Sequence, residues 1–155
     1  MKEMKMNSRS DSSGQVLVIL IILLALAGAG FWWLTSNKQQ MAKDGKEFAR
    51  DAIQRIAVRH DQAFFLSRLS PQARMNFPQS MVQELFAEID RLGTPVGPPD
   101  VQGEIKFQSQ FFEPQGNFHA HVDYPTRSAE VNISISHPVG RWQIDDATFL
   151  PGKER

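Results

Sequence analysis

The stretch NFHAHVDYP, residues 117 to 125, places His119, His121 and Asp123 at every second position. Imidazole nitrogens and carboxylate oxygens bind zinc. Side chains two apart on a strand lie roughly 6 to 7 Å apart at Cα, so two of them could share one ion. The solvent-facing side of an alternating β-strand produces the same spacing. The pattern therefore predicts either a metal site or a polar strand surface.

The H-x-H-x-D pattern resembles the opening of the metal-binding signature of the metallo-β-lactamase family. However, Tyr124 stands where that family has a further histidine, and the chain has no cysteine that could complete a zinc shell. Burial of the alternate apolar residues already accounts for the spacing of the polar ones. These apolar residues are Phe118, Ala120, Val122 and Tyr124. We therefore expect a solvent-facing or partner-facing surface, with no metal and no cofactor.

A histidine–carboxylate pair is the second group that could do chemistry. His60 lies on or beside the apolar stripe of an amphipathic helix. Asp146 shares the nominal strand parity of Trp142 and Ile144, which predicts an inward-facing side chain. His60 and Asp146 are therefore the best acid–base candidates. Either residue alone is more often structural, so we expect no enzymatic activity. A ligand-binding or enzymatic domain that uses this pair is the alternative.

Composition excludes several classes of protein. Among 155 residues, 17 lysines and arginines balance 17 acidic residues, so no net charge favours nucleic acid as a partner. The absence of cysteine excludes a disulfide framework, a thiolate zinc site, a cysteine nucleophile and a lipoprotein acylation site.

An uncharged apolar segment, VLVILIILLALAGAGFWWL, occupies residues 16 to 34. As a helix it would span roughly 28 Å, which is close to the hydrocarbon thickness of a bilayer. Trp32 and Trp33 end the segment, and indole rings favour the headgroup interface. We predict a single transmembrane helix between a polar tail, residues 1 to 15, and a linker, residues 35 to 40. A cleaved signal peptide is the alternative, with Ala27-Gly28-Ala29 as its cleavage site.

The orientation of this segment does not follow from its flanking charges, because basic residues lie on both sides. They are Lys2, Lys5 and Arg9 before it, and Lys38, Lys43 and Lys46 after it. A short tail without a domain fits a signal anchor with an exported C-terminus. We therefore expect a single-pass inner-membrane protein with a periplasmic domain. Gly14-Gln15 ahead of the helix also outlines a pilin-like subunit, although Ile19 stands where pilins carry glutamate.

Hydrophobic periodicity predicts an α+β domain over residues 41 to 150, followed by a tail at 151 to 155. Three amphipathic segments predict helices at 41 to 64, 70 to 75 and 78 to 92. Alternation with period two then predicts four strands joined by short turns, one of them PQGN at 114 to 117. We expect the three helices to pack on one face of a curved four-stranded antiparallel sheet.

This element order resembles the cystatin-like cone of the nuclear-transport-factor-like (SnoaL-like) superfamily. The ending GRWQIDDATF, residues 140 to 149, and the segment LSPQARMNFPQSMVQELFAEIDRLG, residues 69 to 93, carry the resemblance. None of these motifs is catalytic, so the resemblance implies a fold. An anchor ahead of such a domain also resembles the inner-membrane assembly component of type IV secretion systems, and many small bacterial envelope proteins.

Domains of this superfamily often dimerise through the open face of the sheet. Parity places a mixed set there, which is polar except for Phe112: Lys106, Gln108, Gln110, Phe112, His119, His121 and Asp123. We therefore expect a non-catalytic, membrane-anchored interaction or assembly domain. Its partners are the lipid bilayer through residues 16 to 34 and, through the sheet, a second copy or another envelope protein.

Overall fold

The computed structural model describes residues 12 to 108, 113 to 138 and 140 to 154. This described part is α+β, with four helices followed by a four-stranded antiparallel sheet in the order β1-β2-β3-β4. The chain divides between Lys38 and Gln39 into two compact units. Several residues singled out above lie outside the described part, namely Lys2, Lys5, Arg9, Gln110 and Phe112.

The first unit is helical throughout its described residues, and helix α1 (Ser12–Ala57) begins in it. Its apolar side chains are exposed, and Trp32 and Trp33 are 72% and 62% exposed. By length and composition, this is the one helix among the described residues that could cross a membrane. The linker predicted at 35 to 40 is instead helical, since TSNKQQ contains neither proline nor glycine to end a helix.

The second unit begins inside α1, whose buried stripe consists of Ala49, Ala52, Ile53, Ile56 and Ala57. The helix predicted to continue to residue 64 is in fact two helices. His60 adopts a left-handed conformation, with φ 53°, which ends the first helix. The Asp61 carboxylate then accepts a hydrogen bond of 2.9 Å from the Phe64 N–H and starts α2 (Gln62–Arg68).

The two later helices follow the prediction. Ser70 caps α3 (Pro71–Asn76), because its hydroxyl oxygen accepts a hydrogen bond of 3.1 Å from the Ala73 N–H. Helix α4 (Gln79–Leu92) ends at Gly93, whose φ of 82° suits a residue without a Cβ. The buried face of α4 consists of Val82, Phe86, Ile89 and Leu92.

The sheet consists of β1 (Asp100–Phe107), β2 (Pro114–Asp123), β3 (Arg127–Ser136) and β4 (Gln143–Glu154). Burial alternates along β2 and β3, as expected for a sheet with one buried face. The inner-face residues join the buried helical residues in one hydrophobic core. They are Phe118, Ala120, Val122, Ala129, Val131, Ile133, Ile135 and Ile144.

The turn predicted at PQGN is wrong, because residues 114 to 117 are the start of β2 and pair with residues 104 to 107. A glycine is needed at position 116 because neighbouring side chains pack against its backbone. A Cβ on it would lie 2.6 Å from Ile105 Cδ1 and 2.6 Å from Phe118 Cε2, so only glycine leaves room for both side chains.

A one-residue bulge interrupts the pairing of β3 with β4. Ile135 pairs with Ile144, and the preceding Ser134 pairs with Asp146, so Asp145 is the extra residue. The bulge reverses the parity of the rest of β4. Asp146, predicted to face inward with Ile144, is therefore exposed on the other face.

Trp142 precedes β4 and is only partly buried, which differs from the largely buried position that parity predicts. Its ring stacks on Phe48 with centroids 6.4 Å apart, and it lies 5.0 Å from the ring of His137. Trp142 therefore packs across the edge of the core, where part of the indole meets solvent.

Candidate functional site

The sheet presents a polar surface on the side opposite the core, which we call the open face. Antiparallel pairing arranges it in rows of side chains that run across the four strands. Three rows are largely exposed: Glu104, Asn117, Ser134 and Asp146; Gln102, His119, Asn132 and Thr148; Asp100, His121, Glu130 and Leu150.

His121 is the centre of the most organised cluster on this face. Its Nδ1 lies 2.7 Å from a Glu130 carboxylate oxygen, and its Nε2 lies 3.6 Å from a carboxylate oxygen of Asp123. The hydrogen bond with Glu130 raises the pKa of His121 above its ordinary value, and the negative charges of Glu130 and Asp123 add to this effect. The cluster therefore favours the imidazolium form.

The structure places His119 and His121 on the same exposed face, in neighbouring rows. Both nitrogens of His121 face carboxylates, and a ring in that arrangement has no free nitrogen for a metal. Within the described residues, no group of three histidine, cysteine, aspartate or glutamate side chains could hold a metal ion.

Short polar contacts continue along the open face toward the β1–β2 connection. Lys106 Nζ lies 3.0 Å from a Glu104 carboxylate oxygen. Gln108 Nε2 donates a hydrogen bond of 2.6 Å to Gln115 Oε1. The Ser134 hydroxyl donates one of 2.7 Å to Asn117 Oδ1. These contacts restrict the polar side chains before any partner binds, so less side-chain entropy would be lost on association.

The open face carries an excess of negative charge. The three exposed rows contain four carboxylates, those of Asp100, Glu104, Glu130 and Asp146. A fifth, that of Asp123, lies two residues after His121 in β2. A positively charged residue, Lys106, lies in the row of side chains next to these three. A surface of this charge attracts basic groups.

The proposed acid–base pair is not brought together on one face. His60 instead contacts Asp90 of α4, with 2.5 Å between Nδ1 and a carboxylate oxygen, while Asp146 lies on the open face. The Nε2 atom of His60 is buried without a hydrogen-bond partner among the described residues. This contact could not be predicted from the sequence, because Asp90 belongs to the polar side of α4 and lies thirty residues from His60.

Sequence reasoning also missed the pairing of His121 with Glu130, since the register between β2 and β3 decides it.

Comparisons of the chain with family models, curated proteins and solved structures found no match. The chemistry that the open face offers is noncovalent: hydrogen bonding, charge attraction and proton uptake by His121.

Proposed function

We propose that this chain is a non-catalytic interaction or assembly protein of the bacterial envelope, anchored in the inner membrane, which binds another envelope protein through the open face. The observation that carries the proposal is the open face itself. One side of the sheet is filled by the hydrophobic core, and the other presents ordered, exposed polar rows. Ordered polar side chains on a rigid sheet provide specificity without a catalytic constellation.

The apolar helix supports the membrane part of this proposal. Residues 16 to 34 expose large aliphatic side chains to the surroundings, an arrangement that is stable in lipid and costly in water. With Trp32 and Trp33 at the interface and the segment oriented as a signal anchor, a single span would be compatible with a periplasmic sheet domain. The element order also supports the proposed SnoaL-like cone, with its helices on the concave side of a curved sheet.

Charge favours a partner protein over a second copy. Two open faces brought together would oppose carboxylates of Glu104, Glu130 and Asp146 to one another, and like charges at an interface are repulsive. A partner with lysines and arginines on its docking surface would instead gain charge-assisted hydrogen bonds to these groups. We therefore propose a basic partner surface, with the homodimer as the competing outcome.

Site-specific photocross-linking in intact membranes tests the proposal. A cross-linking side chain at Asn132, in the middle of the open face, should capture a second protein, whereas the same side chain at exposed Gln83 of α4 should not. Charge reversal by Glu130→Lys and Asp146→Lys should abolish the adduct. An adduct of twice the chain mass would identify a homodimer, and equal capture at both positions would contradict docking at the open face.

The anchor has its own test. Mass-spectrometric reading of the N-terminus of the membrane-purified protein should find residues 16 to 34 present. A mature chain that begins at Gly30 would show that the segment is a cleaved signal peptide.

A further inference from the structure

Buried polar side chains gather at one place in this molecule. Among the described residues, Ser70, Ser136 and Gln143 are the buried polar ones, at 2%, 7% and 8% exposure. All three line a single cavity of about 450 Å³. Ser70 and Ser136 already accept hydrogen bonds from the Ala73 N–H and from Gln143 Nε2, so a polar ligand would use the hydrogen-bonding capacity that remains around this space.

The fold builds this cavity from four separate segments. The α2–α3 connection joins the start of β4 through a hydrogen bond of 2.8 Å from the Ser70 N–H to the Ile144 carbonyl. The His137 N–H reaches the Pro114 carbonyl at 3.2 Å and closes the other side. The bulge at Asp145 lies between these contacts, and its side chain lines the cavity. Bulges often redirect a side chain toward a functional site.

The side chains that line the cavity offer it mainly hydrogen-bond acceptors. Both amide hydrogens of Gln143 are used, because Nε2 donates to Ser136 Oγ at 3.2 Å and to Asp145 Oδ1 at 3.3 Å. The Gln143 carbonyl oxygen accepts no hydrogen bond in the described part of the chain. Carboxylates of Asp145 and Glu113 add further acceptors.

The charged groups of the lining also favour a ligand that donates hydrogen bonds. Glu113 and Asp145 are acidic, and the described lining residues include the imidazole of His137 but no lysine or arginine. A cavity with two carboxylates and a free amide carbonyl matches a positively charged hydrogen-bond donor. Its volume lies within the range of roughly 300 to 1,000 Å³ that is typical of small-molecule sites.

We propose that this cavity binds an organic cation, namely an ammonium or guanidinium group. The group could belong to a free diamine or guanidine compound, or to a lysine or arginine side chain that a bound protein inserts. Asp145 and Glu113 neutralise the charge, while the Gln143 carbonyl and the Ser70 hydroxyl orient the donors. The site adjoins the exposed rows of the open face, since Gln115, Ser136 and Gln143 form part of the next row, but it does not depend on the function proposed for them.

Calorimetric titration of the full-length chain in detergent micelles tests this site. The probes are agmatine and putrescine as free cations, a capped Gly-Arg-Gly peptide as an inserted side chain, and glucose as a neutral polar molecule. We expect the cations to bind and glucose not to bind. Tighter binding of agmatine would point to a small molecule, and tighter binding of the peptide to a protein side chain.

Two neighbouring aspartates provide a matched pair of variants. Asp145→Asn removes a lining carboxylate and should weaken cation binding about tenfold, the scale of a lost charge-assisted hydrogen bond. Asp146→Asn removes the same charge from the open face and should leave affinity unchanged. Glu113→Gln, at an exposed position, gives a second lining variant if Asp145→Asn does not fold. Equal losses in Asp145→Asn and Asp146→Asn, stronger glucose binding, or no cation binding tighter than about 1 mM would overturn the proposal.

Discussion

The Tyr124 hydroxyl donates a hydrogen bond of 2.9 Å to the carbonyl of Ala57, the last residue of α1. Sixty-seven residues separate the two in sequence, and the Tyr124 side chain is almost fully buried, at 1% exposure. The last carbonyls of a helix have no partner within the helix. Tyr124 supplies one from the end of β2 and so fastens the helix terminus to the sheet.

Burial raises the pKa of Tyr124 to about 12. The unfolded chain, with its ordinary value near 10, releases the proton first, so the neutral tyrosine stabilises the fold fully below pH 10. We expect this contribution, on the order of 2 to 3 kcal/mol, to disappear as pH rises from about 10 through 12. Tyrosinate absorbance measures it directly, because the chain contains a single tyrosine. A midpoint near 10 in the folded protein would contradict the prediction.

Replacing Tyr124 with phenylalanine keeps the ring and removes the donor. The Ala57 carbonyl then stays buried without its partner, so we expect a loss of about 1 to 3 kcal/mol in the free energy of unfolding. Urea denaturation measures the loss. The variant should also lack the stability change between pH 10 and 12 that Tyr124 produces. Unaltered stability would mean that the hydroxyl does not hold the helix terminus.

Gly45 is the glycine of α1 where an added side chain would meet neighbouring atoms. A Cβ there would lie 2.7 Å from Ile105 Cδ1 and 2.7 Å from the ring of Trp142. Alanine gains about 1 kcal/mol in helix propensity, but overpacking costs about 1 to 3 kcal/mol. The net is a loss of about 0 to 2 kcal/mol in the unfolding free energy, and we expect Gly45→Ala to fall near the upper end because the Trp142 ring is rigid. Gly97→Ala, which meets nothing within 4 Å, is the control and should change it by less than about 0.5 kcal/mol.

Glu130→Gln should lower the pKa of His121, because it removes both the hydrogen-bonded carboxylate and its charge. The raised pKa means that the ion pair stabilises the fold below the ordinary histidine value and that this contribution is lost as pH rises through the folded value. Nuclear magnetic resonance titration of the His121 ring measures the change. Asp123→Asn should lower the pKa less, since Asp123 lies farther away at 3.6 Å. The reverse order would show that the assigned contacts are wrong.

Zinc should bind weakly to the histidines of the open face. Carboxylates face both nitrogens of His121, and the described residues offer no third ligand arranged around a shared point. Calorimetry should detect no stoichiometric binding tighter than about 1 μM. Tighter binding that His119→Ala and His121→Ala abolish, and that His137→Ala leaves intact, would establish a metal site.

Periodicity predicted the larger features of the fold because each rests on many residues. The stripe of α1, the Ser70 cap of α3 and the alternation along β2 and β3 are all present. Features that depend on one residue were not predictable from it. The left-handed His60 divides a continuous apolar pattern, and Gly116 looks like a turn residue although it makes room for packing.

The sequence predicted on which face of the sheet the candidate site lies, but not which contacts its side chains make. Alternation with Phe118 and Val122 placed His119 and His121 on the polar side of β2. The partners of a strand residue depend on register, and those of His60 depend on how α4 lies against the end of α1. Tertiary packing decides both relationships, and local sequence carries little information about it.

The bulge at Asp145 divides β4 into two patterns of alternating inward and outward side chains. Ile144 belongs to the first, and Ala147 and Phe149 belong to the second. Deleting that one residue would leave a single regular alternation, in which Ile144 and Phe149 still face the core and Asp146 still faces outward. The strand therefore accommodates a change of length at Asp145, whereas deleting Ala147 would turn Phe149 outward. An alignment that follows its hydrophobic pattern must therefore open a one-residue gap at Asp145.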